Sequence, residues 1–98
     1  MSRRASKVDG NHAEIVKALS AAGAAVQSLA PIGKGCPDAL VSWCGWMWLM
    51  EFKNAAGKDE VNEAQQKWHA AWKAPVFVVR SADEALRVIG AVRQKEAA

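Results

Sequence analysis

The stretch Gly35–Lys53, which reads GCPDALVSWCGWMWLMEFK, predicts a β-hairpin. Two short apolar runs rich in Val and Trp flank the small-residue dipeptide Cys44-Gly45, which is suited to a tight turn. Asp38 begins the first strand, and Glu51 and Lys53 end the second. Antiparallel pairing brings the start of one strand beside the end of the other. We therefore expect these three charged side chains to converge at one end of a sheet.

Converging carboxylates point to a cation. Asp38 and Glu51 would repel each other at neutral pH, and a divalent ion between them would relieve that repulsion. Ligation by oxygen alone favours Mg²⁺ or Mn²⁺ over zinc. A neighbouring lysine such as Lys53 can orient a water molecule or hold a phosphate oxygen.

Side chains alternate along the second strand of the hairpin, so its residues divide between two faces of the sheet. One face takes Met47, Leu49, Glu51 and Lys53. The other takes Trp46, Trp48, Met50 and Phe52. This is a large aromatic surface for so small a chain, and part of it is a candidate homodimer interface.

Length and charge limit the possibilities. The 98 residues predict a single domain over 1–98, with a basic flexible tail at 1–8. The net charge of +3 leans towards a polyanionic partner. Arg3 and Arg4 are candidate phosphate contacts, but a solvated tail is the favoured interpretation of this basic segment. With neither an apolar run of membrane-spanning length nor a signal-peptide pattern, we expect a cytoplasmic protein that does not enter a membrane.

The cysteines are expected to be reduced thiols. Cys36 and Cys44 lie at opposite ends of the first hairpin strand, over ~20 Å apart at ~3.3 Å per residue. A disulfide requires Cα atoms within about 7 Å. No close Cys/His pair has zinc-ligand spacing.

The rest of the chain predicts alternating helices and strands. The expected elements outside the hairpin are a helix from Asp9–Asn11 to about Ala22, a strand from Ala24 to Leu29, a helix from the N-cap Asn62 to about Trp72, a strand Val76–Val79 buried on both faces, and a helix from Ser81 or Asp83 that buries Ala85, Leu86, Val88, Ile89 and Val92. Polar loops at 54–60 and a frayed tail at 94–98 complete the chain. The order α-β-β-β-α-β-α, with one βαβ crossover, predicts a mixed α/β sheet flanked by helices.

Pro37-Asp38 followed by Glu51-Phe52-Lys53 is similar to the motif of the PD-(D/E)XK nucleases, and the element order is that of their restriction-endonuclease-like fold. The whole chain resembles the virus-type replication-repair nucleases (VRR-NUC) and phage Holliday-junction resolvase-like proteins. The matching motifs are Asn11–Val16, Gly33–Asp38, Glu51–Lys53, Gln65-x-x-Trp68-His69 and Val78–Leu86. One departure is Val61-Asn62, where that group often has Leu-Thr. Asn serves as a helix cap as Thr does.

The resemblance implies a metal-dependent endonuclease that acts on DNA, with Holliday-junction or branched DNA among its expected substrates. It also implies a protein encoded by a phage or prophage and active in the bacterial cytoplasm. The implied catalytic residues are Glu14, Asp38, Glu51, Lys53 and Gln65. Asp38, Glu51, the Phe52 carbonyl and Glu14 would hold Mg²⁺ or Mn²⁺, with Glu14 direct or through water. Periodicity alone predicts a solvated glutamate at position 14. Lys34 and Gly35 are candidate DNA contacts, because glycine lets backbone approach a phosphate, but a flexible connector is equally consistent.

Plainer alternatives remain open at this stage. The charged cluster could be a structural ion-pair set at a sheet end. The chain could be a catalytically silent DNA-binding module with a regulatory or packaging role, or a protein-binding factor. His12 and His69 are expected to pack or hydrogen-bond at helix surfaces. The tryptophans could stack on bases, but Trp68 and Trp72, four residues apart on one helix face, favour core packing.

Overall fold

The computed structural model describes residues 3–54 and 61–91 of the chain. Its elements are α1 (Arg3–Ala21), β1 (Ala25–Ser28), a short 3₁₀-helix (Ala30–Ile32), β2 (Ala39–Trp43), β3 (Trp46–Phe52), α2 (Glu63–Ala71), β4 (Val76–Val79) and α3 (Ala82–Ile89). The predicted order of helices and strands is confirmed. Residues 55–60 of the predicted loop, Val92 and the predicted tail at 94–98 lie outside the described residues.

The four-stranded sheet has the order β1-β2-β3-β4. β1–β2 and β2–β3 are antiparallel, whereas β3–β4 is parallel, so the sheet is mixed as predicted. Cys44 (φ 50°) and Gly45 (φ 86°) connect Trp43 to its partner Trp46. Positive φ at both turn residues matches the right-handed twist of the strands, which confirms the predicted hairpin. Both cysteines are free thiols, also as predicted.

The first helix begins earlier than predicted. It starts at Arg3 and continues through Gly10, where the sequence suggested a helix start at Asp9–Asn11. Residues 3–8, which the sequence assigned to a flexible tail, therefore belong to this helix. A glycine inside a helix costs only about 1 kcal/mol relative to alanine. The fully buried Ile15 and Leu19 anchor the helix downstream, and a helix anchored in this way tolerates that cost.

The core lies between one face of the sheet and the helices α1 and α3. Its fully or nearly fully buried residues include Ile15, Leu19, Val41, Met50, Phe52, Val79, Ala85 and Ile89. Met50 has no exposed surface, so its place in the predicted dimer surface is wrong. Alternation along β3 directs Met50 towards the core. Trp48 is half-buried against the same core, while Trp46 at the hairpin end is 72% exposed.

The opposite face of the sheet is covered incompletely. α2 lies on this side, but none of its residues is buried. Trp68 is half-buried, and Trp72, directly after the helix, is 46% exposed. The predicted core packing of this pair is therefore wrong, because the rings stack on each other beside an open cleft. Of β4, only Val79 is buried and the other residues are half-buried, so the predicted burial of this strand on both faces is wrong. Phe77 faces the open cleft.

The helix ends follow the sequence. Asn62 caps α2 through a capping box with Gln65, and Ser81 caps α3 by accepting a hydrogen bond from the Glu84 backbone N–H (3.1 Å). Gly90 ends α3 in the left-handed conformation (φ 86°). Among the described residues, no helix combines the length and the apolar character that crossing a membrane requires.

Candidate active site

The hairpin and α2 bring four of the predicted site residues together, namely Asp38, Glu51, Lys53 and Gln65. Asp38 directly precedes β2, and the register pairs Ala39 with Met50, so Asp38 lies opposite the end of β3. Asp38 Oδ2 accepts a hydrogen bond from the Phe52 backbone N–H (2.7 Å). The predicted convergence of Asp38 with the end of β3 is therefore confirmed.

Gln65 connects the carboxylate to the lysine. Its Nε2 donates to Glu51 Oε2 (2.5 Å), and its Oε1 accepts from Lys53 Nζ (3.0 Å). Lys53 Nζ also lies 3.8 Å from Glu51 Oε2. Glu51 and Lys53 are 2% and 8% exposed. A buried charged pair of this kind is stable only when its remaining polar atoms find partners, and the Gln65 amide supplies two of them.

The capping box of α2 fixes the orientation of Gln65. The Gln65 backbone N–H donates to Asn62 Oδ1 (2.9 Å), and the Asn62 backbone N–H donates to Gln65 Oε1 (2.9 Å). Gln65 Oε1 thus accepts from both a backbone N–H and the Lys53 ammonium. This leaves Nε2 as the group that faces Glu51. One side chain therefore starts the helix and positions both charged groups of the site.

Glu51 carries the strongest electrostatic strain in the site. Burial raises the pKa of its carboxyl to about 8, and the charge and hydrogen bonding of the neighbouring Asp38 side chain raise it further. Lys53 and Gln65 oppose this rise only in part. Glu51 Oε1 is buried and has no hydrogen-bond partner. The two carboxyl groups of Asp38 and Glu51 consequently hold one proton between them at neutral pH when no cation is bound. Burial, Glu51 and Asp38 likewise raise the pKa of the Cys36 thiol.

Two residues of α1 hold the backbone at the end of β3. Asn11 Nδ2 donates to the Lys53 carbonyl oxygen (2.6 Å), and His12 Nε2 lies 3.1 Å from the Phe52 carbonyl oxygen. The His12 and Phe52 rings also meet edge to face, with centroids 5.4 Å apart. On the other side, the Lys53 backbone N–H donates to the Val79 carbonyl oxygen (2.9 Å). The backbone that carries Glu51 and Lys53 is therefore held from two elements, α1 and β4.

The remaining predicted site residues lie elsewhere. Glu14 is exposed on α1. Within residues 3–54 and 61–91 no three His, Cys, Asp or Glu side chains form a cluster able to hold one metal ion, so Glu14 does not join the Asp38–Glu51 pair. Arg3 and Arg4 begin α1, and Lys34 is exposed in the loop before Cys36.

Gly35 has a structural reason to be glycine. It has φ +86°, and a Cβ atom there would lie 2.3 Å from the Ala64 carbonyl oxygen and 3.1 Å from the Gln65 backbone nitrogen. The loop backbone thus approaches the first turn of α2 closely. This close approach is made to the helix that carries Gln65, and the phosphate contact expected of Gly35 stays a prediction.

Sequence reasoning gave no site role to Asn11, His12 or Cys36. Each acts here through a contact between distant parts of the chain. Adjacency to Pro37-Asp38 was a usable signal for Cys36. Asn11 and His12 stand three and two residues before Glu14, within a motif already singled out. His69 packs against the Trp68 ring (centroids 6.4 Å apart), in agreement with the packing predicted for it.

No protein-family model, curated protein or solved structure matches this chain.

The raised pKa of Glu51 predicts a specific pH dependence of stability. The folded chain keeps a proton on Glu51 up to about pH 8, whereas the unfolded chain releases it near the ordinary value of 4.5. The folded state therefore binds more protons in this window, and the free energy of unfolding falls as pH rises from about 4.5 to about 8. The slope from one such group is at most about 1.4 kcal/mol per pH unit.

Glu51→Gln should remove this contribution, because an amide can accept from Gln65 and donate to Asp38 without a charge. Chemical denaturation in metal-free buffer across pH 5–9 measures the effect. Glu63→Gln is the matched control, since Glu63 on α2 is 84% exposed in its side chain. Equal pH slopes for Glu51→Gln and the wild type would contradict the assignment.

Gly35→Ala should displace α2 and with it Gln65. Gly33→Ala is the matched control, because Gly33 also has positive φ (+66°) but a Cβ there meets nothing within 4 Å. Both variants incur a backbone cost on the order of 1–3 kcal/mol, because alanine rarely adopts the positive φ of either glycine. Only Gly35→Ala adds a steric cost of about 1–3 kcal/mol.

We expect amide hydrogen exchange in α2 to become faster in Gly35→Ala and to stay unchanged in Gly33→Ala. Identical exchange in the two variants would show that the contact between Gly35 and Ala64 does not hold the helix.

Proposed function

We propose that this chain is a divalent-metal-dependent endonuclease that hydrolyses DNA phosphodiester bonds. The observation that carries the proposal is the buried Glu51, whose Oε1 has no partner and whose neighbour is a second carboxylate. Lys53 stands 3.8 Å from the same carboxylate. A structural ion pair would not require the second acid, because Asp38 raises the pKa of Glu51 and so works against the charge that Lys53 favours.

Asp38 and Glu51 fit a hard divalent cation. Glu51 Oε1 has no hydrogen-bond partner and is therefore free to act as a metal ligand. A bound cation would favour the charged form of Glu51 and so lower its raised pKa. Mg²⁺ in such sites is commonly held by one or two carboxylates, with waters and substrate phosphate as the other ligands. The Phe52 carbonyl has two lone pairs and keeps one available beside its contact with His12. When bound, Mg²⁺ or Mn²⁺ supplies an activated water and neutralises charge on the phosphate.

Lys53 and Gln65 supply the positioned groups. The ammonium of Lys53 is held by the Gln65 carbonyl oxygen at 3.0 Å, so it is oriented before substrate arrives. It orients the attacking water or binds a non-bridging phosphate oxygen. Gln65 is the positioning residue, because it fixes Lys53 on one side and Glu51 on the other. Groups that are already oriented need no reorganisation during the reaction, which makes them effective in the transition state.

The proposed substrate is DNA, with branched DNA as the expected preference, and the proposed setting is a phage-encoded protein in the bacterial cytoplasm. The net charge of +3 supports a polyanionic partner. The proposal includes a homodimer, because a four-way junction presents two symmetric cleavage positions to a two-fold pair. With Met50 buried, the hairpin end at Trp46 and Met47, 72% and 62% exposed, is the surface that supports it.

Lys53→Ala separates this proposal from a DNA-binding role. If Lys53 acts in the transition state, its removal should lower the Mn²⁺-dependent cleavage rate by about 10²–10³ and leave DNA affinity in EDTA nearly unchanged. Lys53→Arg should fail as well, because a planar guanidinium does not reproduce the ammonium geometry. Gel-based single-turnover cleavage of labelled duplex and junction DNA measures the rate.

Lys67→Ala provides the control for this test. Lys67 is also a lysine beside a glutamate, at 3.7 Å from Glu63, but its side chain is 77% exposed. This variant should cleave at the wild-type rate. The proposal would be wrong if Lys53→Ala cleaved like the wild type, or if no variant cleaved any DNA with Mn²⁺. In the second case the silent DNA-binding module becomes the better account.

A further inference from the structure

An apolar cleft of about 800 Å³ opens between α2 and the sheet. Its walls are mainly aromatic and include Trp46, Trp48, Trp68, Trp72 and Phe77. The rings of Trp68 and Trp72 stack with centroids 4.6 Å apart and an interplanar angle of 24°. β4 pairs only with Leu49–Phe52, so within the described residues the first half of β3 has no strand neighbour on this side. The cleft occupies that space.

The cleft is continuous with the candidate active site along two elements. On α2, Gln65 contacts Glu51, and Trp68 follows at position i+3 on the same helix side. At 1.5 Å per residue Trp68 lies about 4.5 Å further along the helix axis. Trp72, directly after the end of α2, continues the cleft wall. On β3, Leu49 lines the cleft two residues before Glu51, or about 6.6 Å away at ~3.3 Å per residue.

Cys36 provides a third connection between cleft and site. It lines the cleft, and it is close enough to the Asp38 and Glu51 carboxyl groups for both to raise the pKa of its thiol. A DNA strand with a phosphodiester at the carboxylates would therefore have its neighbouring nucleotide beside aromatic walls.

We infer that this cleft receives an unpaired nucleobase of the DNA strand bound at Asp38 and Glu51. The inference rests on the proposed function and narrows its substrate to DNA with at least one unpaired nucleotide near the bond that is cut. Every base has a π-face, so stacking on tryptophan accepts any base, with no need for sequence readout. A base stacked and paired within a duplex is not free to enter.

Charge at the rim favours nucleic acid over a second copy of the chain at the Trp68–Trp72 end of the cleft. The proposed dimer contact at Trp46 and Met47 lies at the other end, where the hairpin turns. Lys34 and Lys73 are exposed, and each lies in the sequence between two residues that line the cleft: Lys34 between Ile32 and Cys36, and Lys73 between Trp72 and Ala74. Lysines beside aromatic walls are the combination that single-stranded nucleic acid requires. A second copy docked on the same face would bring its own lysines towards these, and like charges at an interface oppose association. An unpaired nucleotide brings a phosphate instead.

The test uses the whole chain in EDTA, so that binding is measured without cleavage. The probes are three labelled duplexes of one sequence, which are fully paired, carry a single unpaired thymidine, or carry an abasic nucleotide at the same position. We expect the unpaired thymidine to bind about 5- to 150-fold more tightly than the abasic probe, as one stacked base provides. Trp72→Ala should reduce this ratio to near one, and Trp72→Phe, which retains an aromatic face, should preserve most of it.

The abasic comparison in the wild-type chain does not depend on any variant folding. Equal affinity for the thymidine and abasic probes overturns the inference, as does light scattering that shows a DNA-independent dimer in which Trp72 is inaccessible to a quencher. Failure of the proposed function looks different: base preference would persist while Mn²⁺ produced no cleavage of any probe. Cleavage without base preference removes only the cleft assignment.

Discussion

Two carboxyl groups that share a site away from water cannot both carry a charge without compensation, and the arrangement around Glu51 follows from this constraint. The hairpin places Asp38 beside Glu51, and burial leaves Glu51 2% exposed. Lys53 and Gln65 offset the cost only partly, because the pKa of Glu51 stays near 8. In the proposed function a divalent cation would offset the remainder, and this is the physical basis for proposing a catalytic rather than a structural site.

Helix α2 couples the site to the cleft. None of its residues is buried, so an apolar core contributes little to holding the helix. The Gln65 amide binds Glu51 and Lys53, and the backbone at Gly35 packs closely against Ala64. Because α2 packs incompletely against the sheet, the aromatic cleft between them stays open. Interactions that orient Lys53 and interactions that shape the cleft thus depend on one short helix, and ligand binding in either place would stabilise the other.

The sequence predicted what depends on local pattern. Alternation, a turn of small residues and a capping box were enough to place Asp38, Glu51 and Lys53 together and to start α2 at Asn62. It could not predict the extent of α1, because the tertiary anchoring of Ile15 and Leu19 outweighs the cost of Gly10. It also predicted a buried Trp68–Trp72 pair, since helical spacing alone does not reveal that a helix lies away from the sheet. It also could not predict that Gly35 packs against Ala64 or that Asn11 and His12 hold the end of β3. These contacts join residues far apart in the sequence, and residue spacing does not indicate them.

The central claim is that a cation replaces the proton held between Asp38 and Glu51. Calorimetric titration of Mn²⁺ at pH 7, repeated in two buffers of different ionisation enthalpy, measures proton release directly. Since the pKa of Glu51 is about 8, most molecules carry the proton at this pH. The account predicts saturable binding with release of about one proton per Mn²⁺. Binding with the same heat in both buffers, or no binding at all, would contradict it.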